Sequence, residues 1–356
     1  MSNHSLSFFK KLALVPGPSG FEEQARALWR AEVTPFCDSV ETIAHGSEIA
    51  TLRGKSKATS LLFMGHIDQL GLIVRYISDE GFLYFAPIGG VDPDTIISRR
   101  VRVLGPKGEI PGIIGKIAFH LQDGEERKKK LEMQDLWIDI GAVSKKEAEE
   151  YAPVGTPVVI GEEYIELLNG RVASRIDNRF GAFVVAELLR RLSKKRERLF
   201  ATVHGAATVQ EESSPSFTGA TTVAYHLKPT AAIAVDVNHS MDIPGGDKRK
   251  FGDAKMGGGP IISIGVASSK KLIAAVRAAA EGAGIAYQVD YENGRMGTDA
   301  DAMPVIRAGI PTMSIGNPLR YMHNTVEMGQ ISDILQVIDI LEAFVLSIQE
   351  DVSYTP

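Results

Sequence analysis

The spacing of apolar positions divides the 356-residue chain into three stretches. In the first, residues 5–14 and 20–32 carry apolar side chains at helical spacing. "PGPSG", a turn-rich breaker, separates them. "TSLLFMGHID" follows as a short continuous apolar run with a polar end, the pattern of a buried strand. From about residue 70 to 166 the texture changes to short β-like runs ("GLIVRYI", "GFLYFAPI", "RVRVLG", "IPGIIGKI", "LWIDIGA") divided by Gly, Pro and Asp. Within them "SKKEAEEYA" predicts one surface helix, with Ser144 as its cap and Glu147 at the capping-box position.

After residue 166 strands and helices alternate. Residues 177–192 predict a long helix, "RLFATVHGAATV" a strand, "SFTGATTVAYHL" a helix and "TAAIAVDV" a strand. "PIISIG", "AYQVDY" and "IPTMSIG" predict further strands. They are interleaved with helices at "SKKLIAAVRAAAEGAG" and, despite Pro304, at "ADAMPVIRAG"; residues 331–349 predict a closing helix. Such alternation implies α/β architecture, a mostly parallel sheet with helices on both faces. The simplest organisation is one α/β domain, residues 1–69 plus 167–356, interrupted by an inserted β-rich domain at 70–166.

Composition narrows the class. Hydrophobic residues at 44% and charged residues at 23% are ordinary for a globular protein. A net charge of −5 argues against nucleic acid as a partner. No stretch approaches the ~20 apolar residues of a membrane span. The first twenty residues hold too short an apolar run for a secretory leader. The one cysteine, Cys37, can build neither an intramolecular disulfide nor a thiolate metal site, and fits a reducing compartment. The expectation is a cytoplasmic protein.

In open α/β sheets, ligands gather at the carboxyl ends of strands. The polar residues there are His66 and Asp68, Glu211 and Glu212, Asp236 with His239 beyond it, and His323. Asp177 and Asp299 each stand before a predicted helix, where a lone Asp is most often an N-cap. Taken singly, none of these residues specifies a site. Together, His and carboxylate with little Cys form a borderline-to-hard donor set suited to zinc, cobalt or manganese. Successive residues at a strand end point in different directions. One of Glu211 and Glu212 can therefore bind a metal while the other faces a metal-bound water as general base. Asp68, two residues beyond His66, is placed to hydrogen-bond the second ring nitrogen.

These motifs resemble the tetrahedral, cobalt-activated aminopeptidases, metallopeptidase family forty-two, whose members also carry glutamyl aminopeptidase and endoglucanase-like labels. "PGPSGFEE", "GHIDQLG", "IGGVDPDTI", "LWIDIGA", "IDNRFG", "TVQEE", "VDVNHSMDIPGG", "GTDADA" and "RYMHNTVEM" follow in the family's order over nearly the whole chain. The resemblance implies two divalent metal ions per subunit. His66, Asp177 and Asp236 would hold one; Asp177, Glu212 and His323 would hold the other, with Asp177 bridging. It implies Glu211 as general base and Asp68 as the partner of His66. It also implies peptide substrates and self-association through a barrel-like inserted domain, as a dimer or a tetrahedral dodecamer. Gly65 and Gln69 stand where the family usually has Ala and Glu, and "SSPSFTGA" is about two residues longer than usual. His239 and Asp242 are candidate pocket residues.

Two other classes compete. A glycoside hydrolase needs two carboxylates flanking the bond at ~5–9 Å and no metal. The histidines would then be unexplained, and two Trp with 7% aromatics are thin for stacking sugars. A non-catalytic assembly protein of the same fold would leave clustered acids that repel one another.

Overall fold

The computed structural model describes residues 3–161 and 163–355. The chain opens with helices Asn3–Leu14 and Glu23–Val33. Strands β1 (Ser39–Thr42), β2 (Glu48–Leu52) and β3 (Ser60–His66) follow. The β-rich stretch supplies β4 (Gly71–Ile77), β5 (Leu83–Ile88), β6 (Arg100–Gly105), β7 (Gly108–Gly115), β8 (Trp137–Asp139) and β9 (Pro157–Ile160). Then come β10 (Ile165–Glu166), β11 (Arg171–Ser174), β12 (Thr202–Thr208), β13 (Ala231–His239) and β14 (Ile261–Gly265). The last strands are β15 (Gln288–Glu292), β16 (Thr312–Leu319) and β17 (Glu327–Gln330).

Eight strands form the main sheet in the order β1-β2-β12-β3-β13-β16-β14-β15. Its centre, β12-β3-β13-β16, is parallel throughout. On one side β1 and β2 add antiparallel; on the other, β14 runs antiparallel to β16 with β15 parallel to it. The hairpin β1–β2 and the small antiparallel sheet β10-β11-β17 were not apparent in the apolar pattern.

Alternation along the central strands explains the layers. Leu61 and Phe63 of β3 face one core with Ile233 and Val235 of β13. Helices Asn3–Leu14, Glu23–Val33, Arg179–Ser193 and Ile331–Ser347 cover it with Phe9, Trp29, Phe183 and Phe344. Leu62 and Met64 face the opposite core, covered by helix Thr218–Leu227 and the segment Asp299–Val305. Both faces are thus buried, and so these strands read as unbroken apolar runs. The segment at 299–305 is a 3₁₀ helix rather than an α-helix. Pro304 inside it lacks the N–H that an α-helical turn would use.

β4-β5-β8-β7-β6-β9 close into an antiparallel barrel around Leu72, Val74, Phe85, Val103, Ile138 and Val158. Helix Lys145–Tyr151 lies on it, and the Ser144 hydroxyl accepts from Glu147 N–H as expected. The Glu147 carboxylate reaches back to Val143 N–H, one residue before the cap.

Helix Arg179–Ser193 sits unusually close to the sheet. A Cβ on Gly65 would lie 2.2 Å from the Gly181 carbonyl carbon, and one on Gly181 would lie 2.3 Å from Val235 O. Both contacts are to backbone, which cannot swing aside. G181A is therefore expected to destabilise the fold by about 1–3 kcal/mol, the range for overpacking a filled core. Denaturant unfolding checks this; an unchanged midpoint would refute the close approach.

Candidate metal centre

The parallel strands deliver their carboxyl ends side by side. β3 ends at His66, which pairs in register with Thr208 of β12. Glu211 and Glu212 are the third and fourth residues after that strand. Asp236 lies in β13, and β16 leads into the loop bearing His323. Asp177 enters from β11, just ahead of helix Arg179–Ser193. That helix is capped by Asn178, whose side-chain oxygen accepts from Gly181 N–H at 2.7 Å. The common capping role of an Asp before a helix is therefore filled by its neighbour, and the Asp177 carboxylate is free to face the cluster. Asp299 is likewise not a cap, since Thr298 takes that position.

His66 Nε2 lies 3.3 Å from Asp177 Oδ1, 3.7 Å from Glu211 Oε2 and 3.9 Å from Asp236 Oδ1. His323 Nε2 lies 3.4 Å from Asp177 Oδ2 and 3.4 Å from Glu212 Oε2. The two oxygens of Asp177 thus face two different imidazoles. These separations exceed the ~2.7–2.9 Å of a charge-assisted hydrogen bond. Most match the ~3.3–3.5 Å edge between donors that share one tetrahedral ion at ~2.0–2.2 Å. Two groups, His66–Asp177–Glu212 and His66–Glu211–Asp236, each offer ligand atoms within 4.8 Å of one another. Glu212 Oε1 is buried without a hydrogen-bond partner. Donor type, spacing and this unpartnered oxygen all fit divalent cations.

Two further carboxylates hold the backbone of the ligand-bearing segments. Asp68, fully buried, accepts from the Ser19 hydroxyl at 2.5 Å and from Glu211 N–H and Glu212 N–H, both at 3.1 Å. His66 Nδ1 lies 3.4 Å from Asp68 Oδ1 and 3.3 Å from the Asp68 carbonyl. Asp68 therefore sits beside the second ring nitrogen and also anchors the paired glutamates. Glu327, buried on β17, accepts from Ile176 N–H at 2.7 Å, Asp177 N–H at 2.9 Å and His323 N–H at 3.1 Å. Its motif was visible in the sequence, but its role was not, because that role depends on the pairing of β17 with β11.

Burial dominates the electrostatics. It pushes Glu211, Glu212 and Asp236 well above the usual carboxylate range, and neighbouring acids push them further. Burial likewise raises Asp299 to about 6 and Glu327 to about 7. Asp177 is held well below the carboxylate range: burial opposes this, but contact with His323 and His66 outweighs it. His323 is raised to about 9, first by Asp177 and then by Glu212. His66 is also raised well above its ordinary value, because Glu211, Asp177 and Asp68 outweigh its burial.

A cavity of about 490 Å³ opens over the cluster, lined by the five candidate ligands, Glu211 and His239 among others. Asp242 does not line it; its carboxylate instead pairs with Arg320. The loop after β5 packs against one ligand, since a Cβ on Gly90 would come within 3.2 Å of His323 Nδ1. Gln69, where the family usually has Glu, accepts from the buried Arg179 guanidinium.

Residues 46–340 match the profile of the M42 glutamyl aminopeptidase family. The chain belongs to this family. It is accordingly a metallo-aminopeptidase, a hydrolase. A lysyl aminopeptidase of Pyrococcus furiosus is 30% identical, with 98% of each chain covered. A TET aminopeptidase from a marine sediment Thaumarchaeota archaeon is 33% identical, with a TM-score of 0.90 and 96% of each chain covered. The Pyrococcus horikoshii TET1 peptidase, described as assembling into a tetrahedron or a large octahedral shell, is 32% identical. Its TM-score is 0.84, and the match covers 95% of this chain and 98% of that one. Among the described residues, no helix of this aminopeptidase is long and apolar enough to cross a membrane.

Protons and metal compete for the same imidazole nitrogens. In the metal-free aminopeptidase, His323 carries a proton up to about pH 9, against 6.5 for an unperturbed His. Its ion pairs contribute fully below 6.5 and are lost as pH rises through about 9. Metal affinity runs the other way, rising across that window. Cobalt uptake at pH 7 is expected to release protons, read by calorimetry in buffers of differing ionisation enthalpy. Uptake with no proton exchange would contradict the assignment.

Proposed function

We propose that this chain is a di-metal aminopeptidase that removes N-terminal residues from short peptides. The observation that carries the reading is Asp177, whose two oxygens face His66 on one side and His323 on the other. His66, Asp177 and Asp236 would hold one divalent ion; Asp177, Glu212 and His323 would hold the second. Zinc or cobalt suits this donor set best, and manganese fits it. Bound there, such ions supply Lewis acidity and bring a water's pKa towards ~7.

The side chains divide the remaining work. Glu211 is close to His66 but is assigned to neither ion here, and burial raises its carboxylate's affinity for a proton. It takes a proton from the attacking water and returns it to the leaving amine. Asp68 orients the His66 ring and fixes the Glu211 backbone. The substrate's free α-amino group would be held by one ion or by a nearby carboxylate, which selects for chain ends. The barrel carries exposed apolar side chains at Ile113, Phe119 and Leu121, suited to self-association as a dimer or a dodecamer like those of the TET relatives. The single cysteine is consistent with the cytoplasm.

Glycosidase chemistry fits poorly, because it needs two carboxylates set apart across a bond. Here Glu211 and Glu212 each contact an imidazole.

E211Q is expected to retain both ions and lose about 10²–10⁴-fold in turnover of aminoacyl anilides. A Gln variant as active as the parent would remove Glu211 from the role of base. H323A should bind one ion where the parent binds two, measured by metal analysis; full occupancy would refute that ligand. A chelator should abolish anilide hydrolysis, and a glucan should not be cleaved with or without it. Glucan cleavage that survives chelation would favour the glycosidase.

A further inference from the structure

Two of the five candidate ligands, Asp177 and His323, arrive on segments 146 positions apart in the sequence. Neither segment is inside the main sheet, so the strands that align His66 and Asp236 do not align this pair. Asp177 follows β11, the central strand of the small β10-β11-β17 sheet. His323 sits in the loop between β16 and β17 with φ of 61°, and Tyr321, two residues before it, has φ of 64°. Non-glycine residues rarely adopt this left-handed conformation, which persists only where surrounding contacts hold it.

Glu327 supplies such contacts. β17 pairs with β11 so that Glu327 lies opposite Ser174, two residues from Ile176 and three from Asp177. One carboxylate oxygen accepts from Ile176 N–H and Asp177 N–H; the other accepts from His323 N–H. The carboxylate is 1% exposed, so water does not replace these bonds. We propose that Glu327 is a positioning residue for the metal centre. Its single carboxylate ties the segment bearing Asp177 to the segment bearing His323 and so sets the spacing of the second ion's ligands. This rests on the two-ion reading above. Asp68 does the equivalent for His66, Glu211 and Glu212, so the centre has two buried carboxylate clamps.

The distinction from an ordinary buried hydrogen-bond acceptor is which ion feels the loss. Glutamine matches glutamate in size but has only one acceptor oxygen, so E327Q cannot serve both segments. Cobalt titration of the metal-free protein, read by calorimetry and by the visible absorbance of bound cobalt, should show two equivalents in the parent. In E327Q one equivalent should weaken by about 10–100-fold, the usual effect of removing a group that orients a ligand, while the other, which shares only Asp177 with it, should weaken less. The loss should shrink in a background that lacks the ligand: adding E327Q to H323A should cost the remaining ion less affinity than E327Q alone costs its weaker equivalent. E187Q, which disturbs a buried acid holding Arg190 and Arg191 away from the cavity, is the control for lost stability alone and should leave both affinities intact.

If E327Q does not fold, E327D carries the same test. Its shorter side chain keeps the charge but cannot span both segments, so the same equivalent should weaken more than the other. Two parent-like equivalents in the Glu327 variants would overturn the proposal and leave the two-ion reading standing. So would equal weakening of both equivalents. A parent that takes up no metal would overturn the two-ion reading, and the role of Glu327 with it.

Discussion

The structure depends on a concentration of buried negative charge. Asp68, Asp177, Glu211, Glu212, Asp236, Asp299 and Glu327 converge beneath one cavity. The cations packed among them are two imidazoles, with the Arg175 guanidinium close to Glu327. Burial disfavours every one of these charges, and like charges at short range disfavour them further. Left alone, the cluster resolves the conflict by taking up protons, as the raised Glu211, Glu212 and Asp236 indicate. Divalent cations resolve it more completely, because they meet several carboxylates at once and need no proton. The same conflict makes the site chemically useful: a carboxylate whose affinity for protons is raised can take one from water and give it up again.

The rest of the fold serves to keep those acids together. Four parallel strands deliver His66, the Glu211–Glu212 pair, Asp236 and the His323 loop to one edge. Helix Arg179–Ser193 can bring Asp177 over that edge because glycine lies on both sides of the contact, at Gly65 and Gly181. Backbone amides, with the Ser19 hydroxyl at Asp68, supply the hydrogen bonds that hold Asp68 and Glu327. The loop after β5 approaches the same ligands, with Gly90 close to His323 Nδ1.

Much of this was legible in the sequence because it is written in local pattern. Continuous apolar runs such as "LLFMGH" and "AAIAVDV" mark strands buried on both faces, and the ligands follow directly at their ends. What escaped was non-local. The hairpin of Ser39–Thr42 with Glu48–Leu52 and the pairing of Arg171–Ser174 with Glu327–Gln330 depend on contacts between short, mixed-polarity segments. Without that pairing Glu327 is one acid among many. Asp177 was ambiguous for the opposite reason: its position suits a helix cap, and only the structure shows Asn178 taking that role. Gly65 reads as a small departure from the family pattern, yet here its missing side chain is what lets Gly181 approach.

The central claim is that cations complete this cluster, with Asp177 shared between them. Anomalous diffraction from crystals soaked in cobalt, recorded at the cobalt edge, tests it most directly. Two peaks ~3.5–4 Å apart, one beside His66 and one beside His323 with the Asp177 carboxylate between them, are the result this account requires. A single peak away from Asp177, or none at full cobalt exposure, would contradict it.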